Sequence, residues 1–483
     1  MKITRTIIFL LFLSYGFLFS QNKVQKATEN FAHNEVFQNA AISICVIDLD
    51  SSKEVSSHNK NMGIQSASTA KLFSTSTALK ILDPNYQAST KFFTNGAIIN
   101  NTLQEYLIIE GGGDPSFGSR FFNHKDSLKN IFYEIIDSLH HLGINKIVGD
   151  IVVDGSKFSY QGAPDDWTWS DMGNYYGAGP SGIILYDNTL FYNFNTGNLI
   201  NKPVKLTSTF PEISNLEFDN QIKASNKRGD NSYIYGAPYS YNRFGIGTLP
   251  VNRPNFVVKG SIPDPEKQFG TELFTLLKEK GMVSEKTKVL TARISNLPKY
   301  ETTNLLFEYK GEELINILKE TNHNSINLFA EQLLFITSYE KTGFGSTSQG
   351  IELIKSTWKN DIDLEGFNLK DGSGLSRSNA ISANHFCQLL KGIYKDSIYN
   401  DFLSTLPITG CSGTLKGVCK NQLGHGRIKA KSGTLNNVKA YAGYVETKTG
   451  KTLAFAIIVN NFNCSSSHVV DLMEPFFNAM ADY

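Results

Sequence analysis

The sequence predicts an α+β protein in which the two ends of the chain form one discontinuous domain around a large β-rich insertion. Three observations predict it. A strand followed by a helix opens the chain over residues 41–82. A strand meander followed by a helix closes it over residues 427–481. The roughly two hundred residues between have a different texture, rich in Gly, Asn, Tyr and Phe with short β-like runs. At 483 residues the chain holds about three domains' worth of sequence.

Composition narrows the class. A hydrophobic share of 41% and an aromatic share of 12% supply packed cores and exclude a disordered or low-complexity chain. Lys and Arg number 46 against 45 Asp and Glu, a net charge of +1. Nothing there drives sequence-independent binding to nucleic acid.

Taken in order, residues 1–20 read as a cleaved signal peptide. Lys2 and Arg5 give a cationic start, and the apolar stretch 7–19 is too short for the ~20 residues that span a bilayer. Cys is absent near Ser20, which argues against a lipid anchor. Removing Lys2 and Arg5 leaves 44 basic and 45 acidic residues, a mature charge of −1. The expected product is exported to the periplasm or extracellular space, with no integral membrane segment in the mature chain.

An amphipathic stretch at 24–39 precedes the apolar strand 41–48, a turn at Asp50-Ser51-Ser52 and a second strand. Apolar residues from 69 to 82 keep helical spacing until Asp83-Pro84 stops them. The middle carries β-like runs at 106–110, 146–154 and 255–260, with helices expected at 127–142 and 271–280. Helical texture returns at 312–320 and 325–339. Strands at 427–435, 440–446 and 452–460 form the meander, the last two joined by a Lys448-Thr449-Gly450 turn, and a helix at 467–481 ends the chain. The expected division is a discontinuous domain of 21–90 and 300–483, with 91–299 as an inserted region of two subdomains.

Five cysteines occur, with no C-x-x-C pair or Cys/His cluster, so a zinc site is not expected. Cys411 and Cys419 lie close enough in sequence to bridge in an oxidising compartment, although free buried thiols are the simpler reading.

Chemistry concentrates in three short segments. Ser68-Thr69-Ala70-Lys71 opens a helix, where residues three apart share a face, so Ser68 and Lys71 can touch. A lysine whose pKa is lowered by burial can take the serine proton, and the helix start offers unpaired N–H groups to an oxyanion. Alone, S-x-x-K is commonplace: Ser as an N-cap and Lys in solvent. Ser325-Ile326-Asn327 opens a second helix with a hydroxyl to relay a proton and an amide to orient its neighbours. Lys431-Ser432-Gly433-Thr434 sits in a strand and offers a cation and hydroxyl to a carboxylate, with Gly433 letting substrate backbone lie close.

In order and company these segments resemble the penicillin-recognising serine acyl-transferases, whose set is S-x-x-K, S-x-N and K-T-G. About 250 residues separate Lys71 from Ser325, and this long gap is similar to that of the class C low-molecular-mass penicillin-binding proteins, the D-alanyl-D-alanine carboxypeptidase/endopeptidase family. Gly112-Gly113-Asp114-Pro115, Trp169-Ser170-Asp171-Met172 and the run from Asp371 to Arg377 (DGSGLSR) extend the resemblance along nearly all of the mature chain. The resemblance implies a penicillin-binding transpeptidase-like domain, an antiparallel sheet flanked by helices. It implies Ser68 as nucleophile, Lys71 as general base, Ser325 as proton relay to departing D-alanine and Asn327 as a holding group. It implies further that Lys431 and Ser432 bind the terminal carboxylate, and that the Thr434 N–H joins that of Ser68 at the oxyanion. Arg377, Asp171 and Tyr176 fall where the family meets the side-chain end of the stem peptide's diamino acid. The sequence departs from the pattern at Ser432, where threonine is usual, and at Ile326, where a polar residue is commoner. Asn436 sits at a position that varies among relatives.

Other patterns are set aside. Gly177 to Gly182 fits G-x-G-x-x-G, but residues 183–186 after it read as a strand rather than a helix. Gly450-Lys451-Thr452 ends like a P-loop, yet Val445 occupies the first glycine position. Trp167, Trp169, Tyr175 and Tyr176 are core or domain-seam candidates, with Asp171 beside them favouring a ligand role. The expected function is an exported serine DD-carboxypeptidase/DD-endopeptidase acting on peptidoglycan stem peptides, covalently inhibited by β-lactams and needing no cofactor or metal. The rivals are a β-lactamase and a non-catalytic cell-wall binding protein.

Overall fold

The computed structural model describes residues 22–122, 128–293 and 304–483. The signal segment and the first residue of the helix expected at 127–142 lie outside them.

Both ends of the chain meet in one five-stranded sheet. Its order is Ile428–Leu435, Val438–Glu446, Thr452–Asn460, Ala41–Asp48 and Lys53–His58, antiparallel throughout. The central strand, Thr452–Asn460, is apolar on both faces, as burial on both sides demands. Leu453, Phe455, Ile457 and Val459 pack among Val469, Met473, Phe476 and Phe477 of the final helix, Ser466–Ala481. Ala454, Ala456 and Ile458 face the opposite core with Phe386, Leu389 and Leu390 of the helix Ala383–Lys395. Local signals start these helices: Ser465 and Ser382 accept the backbone N–H groups of His468 and His385.

Beyond that core lies a helical layer: Lys71–Leu82, Leu314–Asn324, Asn327–Thr342 and Thr347–Trp358. The helix Lys71–Leu82 is buried along its first nine residues, including a run of four hydroxyls. Ser74, Thr75 and Ser76 donate to carbonyls of the preceding turn, and Thr77 accepts from the Trp358 indole at 2.9 Å, so the hydroxyls are satisfied within the core.

A second five-stranded sheet runs Val289–Thr291, Ile151–Asp154, Leu107–Glu110, Gln87–Thr94 and Asn304–Glu313. Its last two strands, separated by about two hundred residues, pair antiparallel, and the Tyr86 carbonyl accepts the N–H of Leu314 at 2.8 Å. The helices Leu128–His141 and Pro265–Glu279 cover this sheet. A three-stranded and a four-stranded sheet between residues 189 and 261 extend the same core through Tyr192, Phe194, Ile222 and Leu249.

Several elements differ from the sequence reading. Residues 183–186 form no strand; Tyr186–Asn188 is a short turn in which all three residues have positive φ, stabilised by Ser119 Oγ donating to the buried Asp187. The helix expected from 271 starts at Pro265, because Asp264 caps it and proline suits its first turn. Thr347–Trp358 and Ala383–Lys395 were not anticipated. The thiols of Cys411 and Cys419 are both free, and Cys411 is exposed rather than buried. Lys448-Thr449-Gly450 is a hairpin turn far from the site, with Lys448 paired to Asp482. Among the described residues no helix is long and apolar enough to cross a membrane.

Candidate active site

Ser68 lies in a single 3-10 turn, Ala67–Ala70, that runs straight into the helix Lys71–Leu82. The turn puts Lys71 Nζ 2.9 Å from Ser68 Oγ. The same nitrogen is 2.7 Å from Asn327 Oδ1 and 2.8 Å from the Ser373 carbonyl. Lys71 is fully buried. Desolvation pushes its pKa down to about 7, against the opposing pull of the Asp371 and Glu331 carboxylates. Two of its three neighbours are pure acceptors in this arrangement, whereas Ser68 can also donate. A neutral Lys71 therefore gives its two N–H groups to Asn327 and Ser373, and its lone pair is left for the Ser68 hydroxyl proton.

Asn327 starts the helix Asn327–Thr342, and its orientation is fixed from the other side: Nδ2 donates to the Tyr176 carbonyl at 2.8 Å. The segment after Asp371 wraps around that residue's buried carboxylate. Asp371 accepts from the N–H groups of Gly374 and Ser376, from Asn379 Nδ2 and from the Trp167 indole at 2.9 Å. Gly374 has φ of +80°, and a Cβ there would stand 1.9 Å from the Ala67 carbonyl oxygen, so only glycine lets the segment close on the Ser68 turn.

Ser325 links two helices in a left-handed conformation, φ 57°. Its Oγ accepts from Lys431 Nζ at 3.0 Å, which leaves its own hydroxyl hydrogen for another acceptor. Lys431 also donates to the Ser432 carbonyl at 2.7 Å and is fully buried; desolvation, then the charges of Lys71 and Lys439, hold its pKa well below the usual lysine range. Ser432 Oγ donates to Thr414 Oγ1 at 2.7 Å, and Lys439 Nζ to Thr434 Oγ1 at 2.8 Å.

The strand Ile428–Leu435 is the edge of its sheet, and its outer groups can be identified by their bonds. Ile428 C=O accepts from Thr409 and Ala430 N–H donates to Pro407, both outside the sheet. Alternation then points the backbone groups of Ser432 and Thr434 outward as well, on the side of the Ser68 turn. Gly433 has a further reason for being glycine: a Cβ there would meet Ser66 O at 2.7 Å and Ser68 N at 3.1 Å. The close approach it permits is to the Ser68 turn, where the sequence reading had placed substrate backbone.

Ser68, Ser325, Asn327, Ser432 and Thr434 line an open cleft of about 740 Å³. Asp171, Tyr176 and Arg377 line it too, with Tyr175, Tyr233 and Tyr235. Asp171 is buried and accepts from Thr168 Oγ1 at 2.7 Å. Burial and the adjacent Asp171 push the Tyr176 hydroxyl pKa up. Arg377 is half-buried and forms no ion pair among the described residues. Lys431 and Gly433 sit behind the cleft surface, in contact with groups that line it. Trp167 is core, on a seam with Leu375, Leu435 and Tyr176, while Trp169 is half exposed.

Sequence reasoning did not single out Glu331, Ser373, Thr414, Lys439, Tyr233 or Tyr235. Glu331 lies four residues after Asn327, a spacing that places both on one helix face and so carried a usable signal. Ser373 lies within the DGSGLSR run and Lys439 faces Thr434 across a tight hairpin; Thr414, Tyr233 and Tyr235 are brought in from other strands and loops.

Comparison with known proteins agrees with this architecture. A family model described as the D-Ala-D-Ala carboxypeptidase 3 (S13) family matches residues 24–480. The penicillin-sensitive carboxypeptidase A of Dictyostelium discoideum is 25% identical over 448 residues, covering 86% of this chain and 81% of the relative. The D-alanyl-D-alanine carboxypeptidase DacB of Haemophilus influenzae is 25% identical over 438 residues, covering 86% and 84%. The crystal structure of penicillin binding protein 4 from Haemophilus influenzae superposes with a TM-score of 0.80 at 21% identity, over 95% of this chain and 99% of that one.

Proposed function

We infer the roles of individual residues from the premise that this chain belongs to the D-Ala-D-Ala carboxypeptidase 3 (S13) family. The protein is a serine-type D-Ala-D-Ala carboxypeptidase, and endopeptidase action at the same site is part of the proposal. In the proposed reaction Ser68 Oγ attacks the carbonyl carbon of the penultimate D-alanine while Lys71 takes its proton. The N–H groups of Ser68 and Thr434 receive the oxyanion. Collapse breaks the amide bond; Ser325 hands its hydroxyl proton to the departing nitrogen and recovers the one that Lys71 accepted. Water then hydrolyses the ester on Ser68 by the same route reversed.

The observation that carries this reading is the environment of Lys71. A buried amine whose two N–H groups are taken by Asn327 and Ser373 turns its lone pair on Ser68 Oγ at 2.9 Å. Lys431, Ser432 and the Thr414 hydroxyl provide for the substrate's terminal carboxylate, and Gly433 keeps their strand against the Ser68 turn. In the same cleft, Arg377 and Asp171 offer opposite charges to the zwitterionic end of a diamino acid, with Tyr176 covering its aliphatic part. We keep as part of this proposal the division into 21–90 with 300–483 and the inserted 91–299, as well as export through the segment 1–20.

The test is the intact mass of the purified protein after incubation with benzylpenicillin, followed by peptide mapping. A stable adduct on Ser68 is expected, and none on a Ser68→Ala variant. Destruction of the drug without an adduct would instead make the protein a β-lactamase, and an untouched drug would make it an inert binding protein.

A further inference from the structure

The general-base lysine is held by two acceptors, and both trace to one helix. Asn327 Oδ1 contacts Lys71 Nζ directly. The other acceptor, the Ser373 carbonyl, belongs to a loop with no regular structure, which is held on one side by Asp371, acceptor for the Gly374 N–H of the same peptide, and on the other by Glu331. The carboxylate of Glu331 accepts from Gly372 N–H at 3.0 Å and Ser373 N–H at 2.7 Å. Glu331 is fully buried and lies one turn beyond Asn327 on the same face of the helix Asn327–Thr342. A lone carboxylate is costly to bury unless its oxygens are bonded; these oxygens hold two successive peptide groups, the second of which also receives the Ser74 hydroxyl on its Gly372 carbonyl at 2.9 Å, and the carbonyl that follows them in the chain is the one on Lys71.

We propose that Glu331 is a positioning residue for acylation: through the Gly372 and Ser373 peptides it aims the Ser373 carbonyl at Lys71 and so directs the amine's lone pair at Ser68. This rests on Lys71 acting as the base. The charged groups facing Lys71 are Asp371 from the loop, Glu331 from its helix and Lys431 from the sheet edge. Burial and then the neighbouring Asp371 push the Glu331 carboxyl up to about 8, against the two N–H groups it accepts; where it is ionised, Glu331 has a second effect, favouring the ammonium form of Lys71.

Three variants of the full-length protein test the inference, with benzylpenicillin as the acylating probe. Glu331→Gln keeps one acceptor oxygen but sets an amide NH₂ against the second N–H. Acylation should fall by about tenfold to a hundredfold, and because Glu331 carries its charge only from about pH 8 upward, the upper part of the rising limb should be reached at lower pH in the variant. Glu331→Asp keeps the carboxyl group but withdraws it by a methylene; its rate should fall while the limb stays in place, and it carries the test should the glutamine variant not fold. Wild-type rate and profile in a folded Glu331→Gln protein, or a wild-type rate in Glu331→Asp, overturns the proposal. So does a lower melting temperature with unchanged acylation of the folded fraction, which assigns Glu331 to packing alone. Lys71→Met separates the premise from the inference: near-native acylation there refutes the base, whatever Glu331 does.

Discussion

Replacing Lys71 by Met removes the buried amine and keeps an unbranched side chain of similar length. Its consequences can be worked out for stability as well as for rate. In the unfolded chain the amine has its ordinary pKa of 10.5, and in the folded protein burial brings it to about 7. Holding it neutral over that interval costs the folded state about 5 kcal/mol at pH 7, and the variant escapes this cost. Against that, the variant loses three hydrogen bonds worth about 1 kcal/mol each and leaves Asn327 Oδ1 and Ser373 O without a donor, at about 1 kcal/mol or more each. The two sides nearly cancel at pH 7. They do not cancel at higher pH, and the sign follows from proton counts. Between about 7 and 10.5 the unfolded wild type binds one proton more than the folded wild type, so wild-type stability rises with pH by about 1.4 kcal/mol per unit. The variant lacks that slope, and Lys431 and Lys439 titrate in both proteins. Urea unfolding at about pH 7.5 and 9.5 should therefore show the wild type gaining about 3 kcal/mol on the variant. Acylation by benzylpenicillin should fall by about 10² to 10⁴. A stability gap equal at the two pH values would mean that the folded amine is charged, and the argument for Lys71 as the base would fail.

Other substitutions probe separate parts of the site. Gly433→Ala drives a methyl toward Ser66 O and the Ser68 N–H; acylation should drop about tenfold or more, and a wild-type rate would show that the strand can withdraw without effect. Arg377→Ala should raise KM for a stem peptide bearing a side-chain carboxylate by about tenfold, the loss of one charge-assisted hydrogen bond, while benzylpenicillin acylation stays unchanged; equal loss for both would place Arg377 elsewhere in the reaction. Trp167→Phe removes one donor from the buried Asp371 carboxylate and should cost about 1–3 kcal/mol, read as a lower Tm; an unchanged Tm would refute that role for the indole.

Much of the site was legible because its information is local. Ser68 and Lys71 need only one helical turn to meet, and the closing meander is joined by tight turns, so its strands could be placed within a few residues. The strand 41–48 was legible to its last residue for the same reason: a continuous apolar run bounded by a turn. The pairing of Gln87–Thr94 with Asn304–Glu313 was not, since its burial is partial and its partner lies about two hundred residues away. Glu331 and Asp371 illustrate a different limit. The sequence marks their places, Asp371 in its DGSGLSR run and Glu331 one turn beyond Asn327, but not their burial, which follows only from peptide N–H groups that converge once the fold is complete. The three left-handed residues at 186–188 likewise override the β-like pattern of 183–186, because the buried Asp187 accepts from the distant Ser119 while Asn188 ties Leu185 and Gly179 together locally.

The pairing of those two remote strands also decides how the chain can tolerate what lies between them. Main-chain bonds already join Tyr86 to Leu314 and Pro84 to Ile315, so the two points where the chain departs and returns are neighbours, like the feet of a hairpin. Closure entropy depends only weakly on the length of a loop whose ends are fixed together. The region suspended from this stem is thus free to lengthen, shorten or change shape at its periphery while the register of the helices carrying Lys71 and Asn327 stays where the stem sets it.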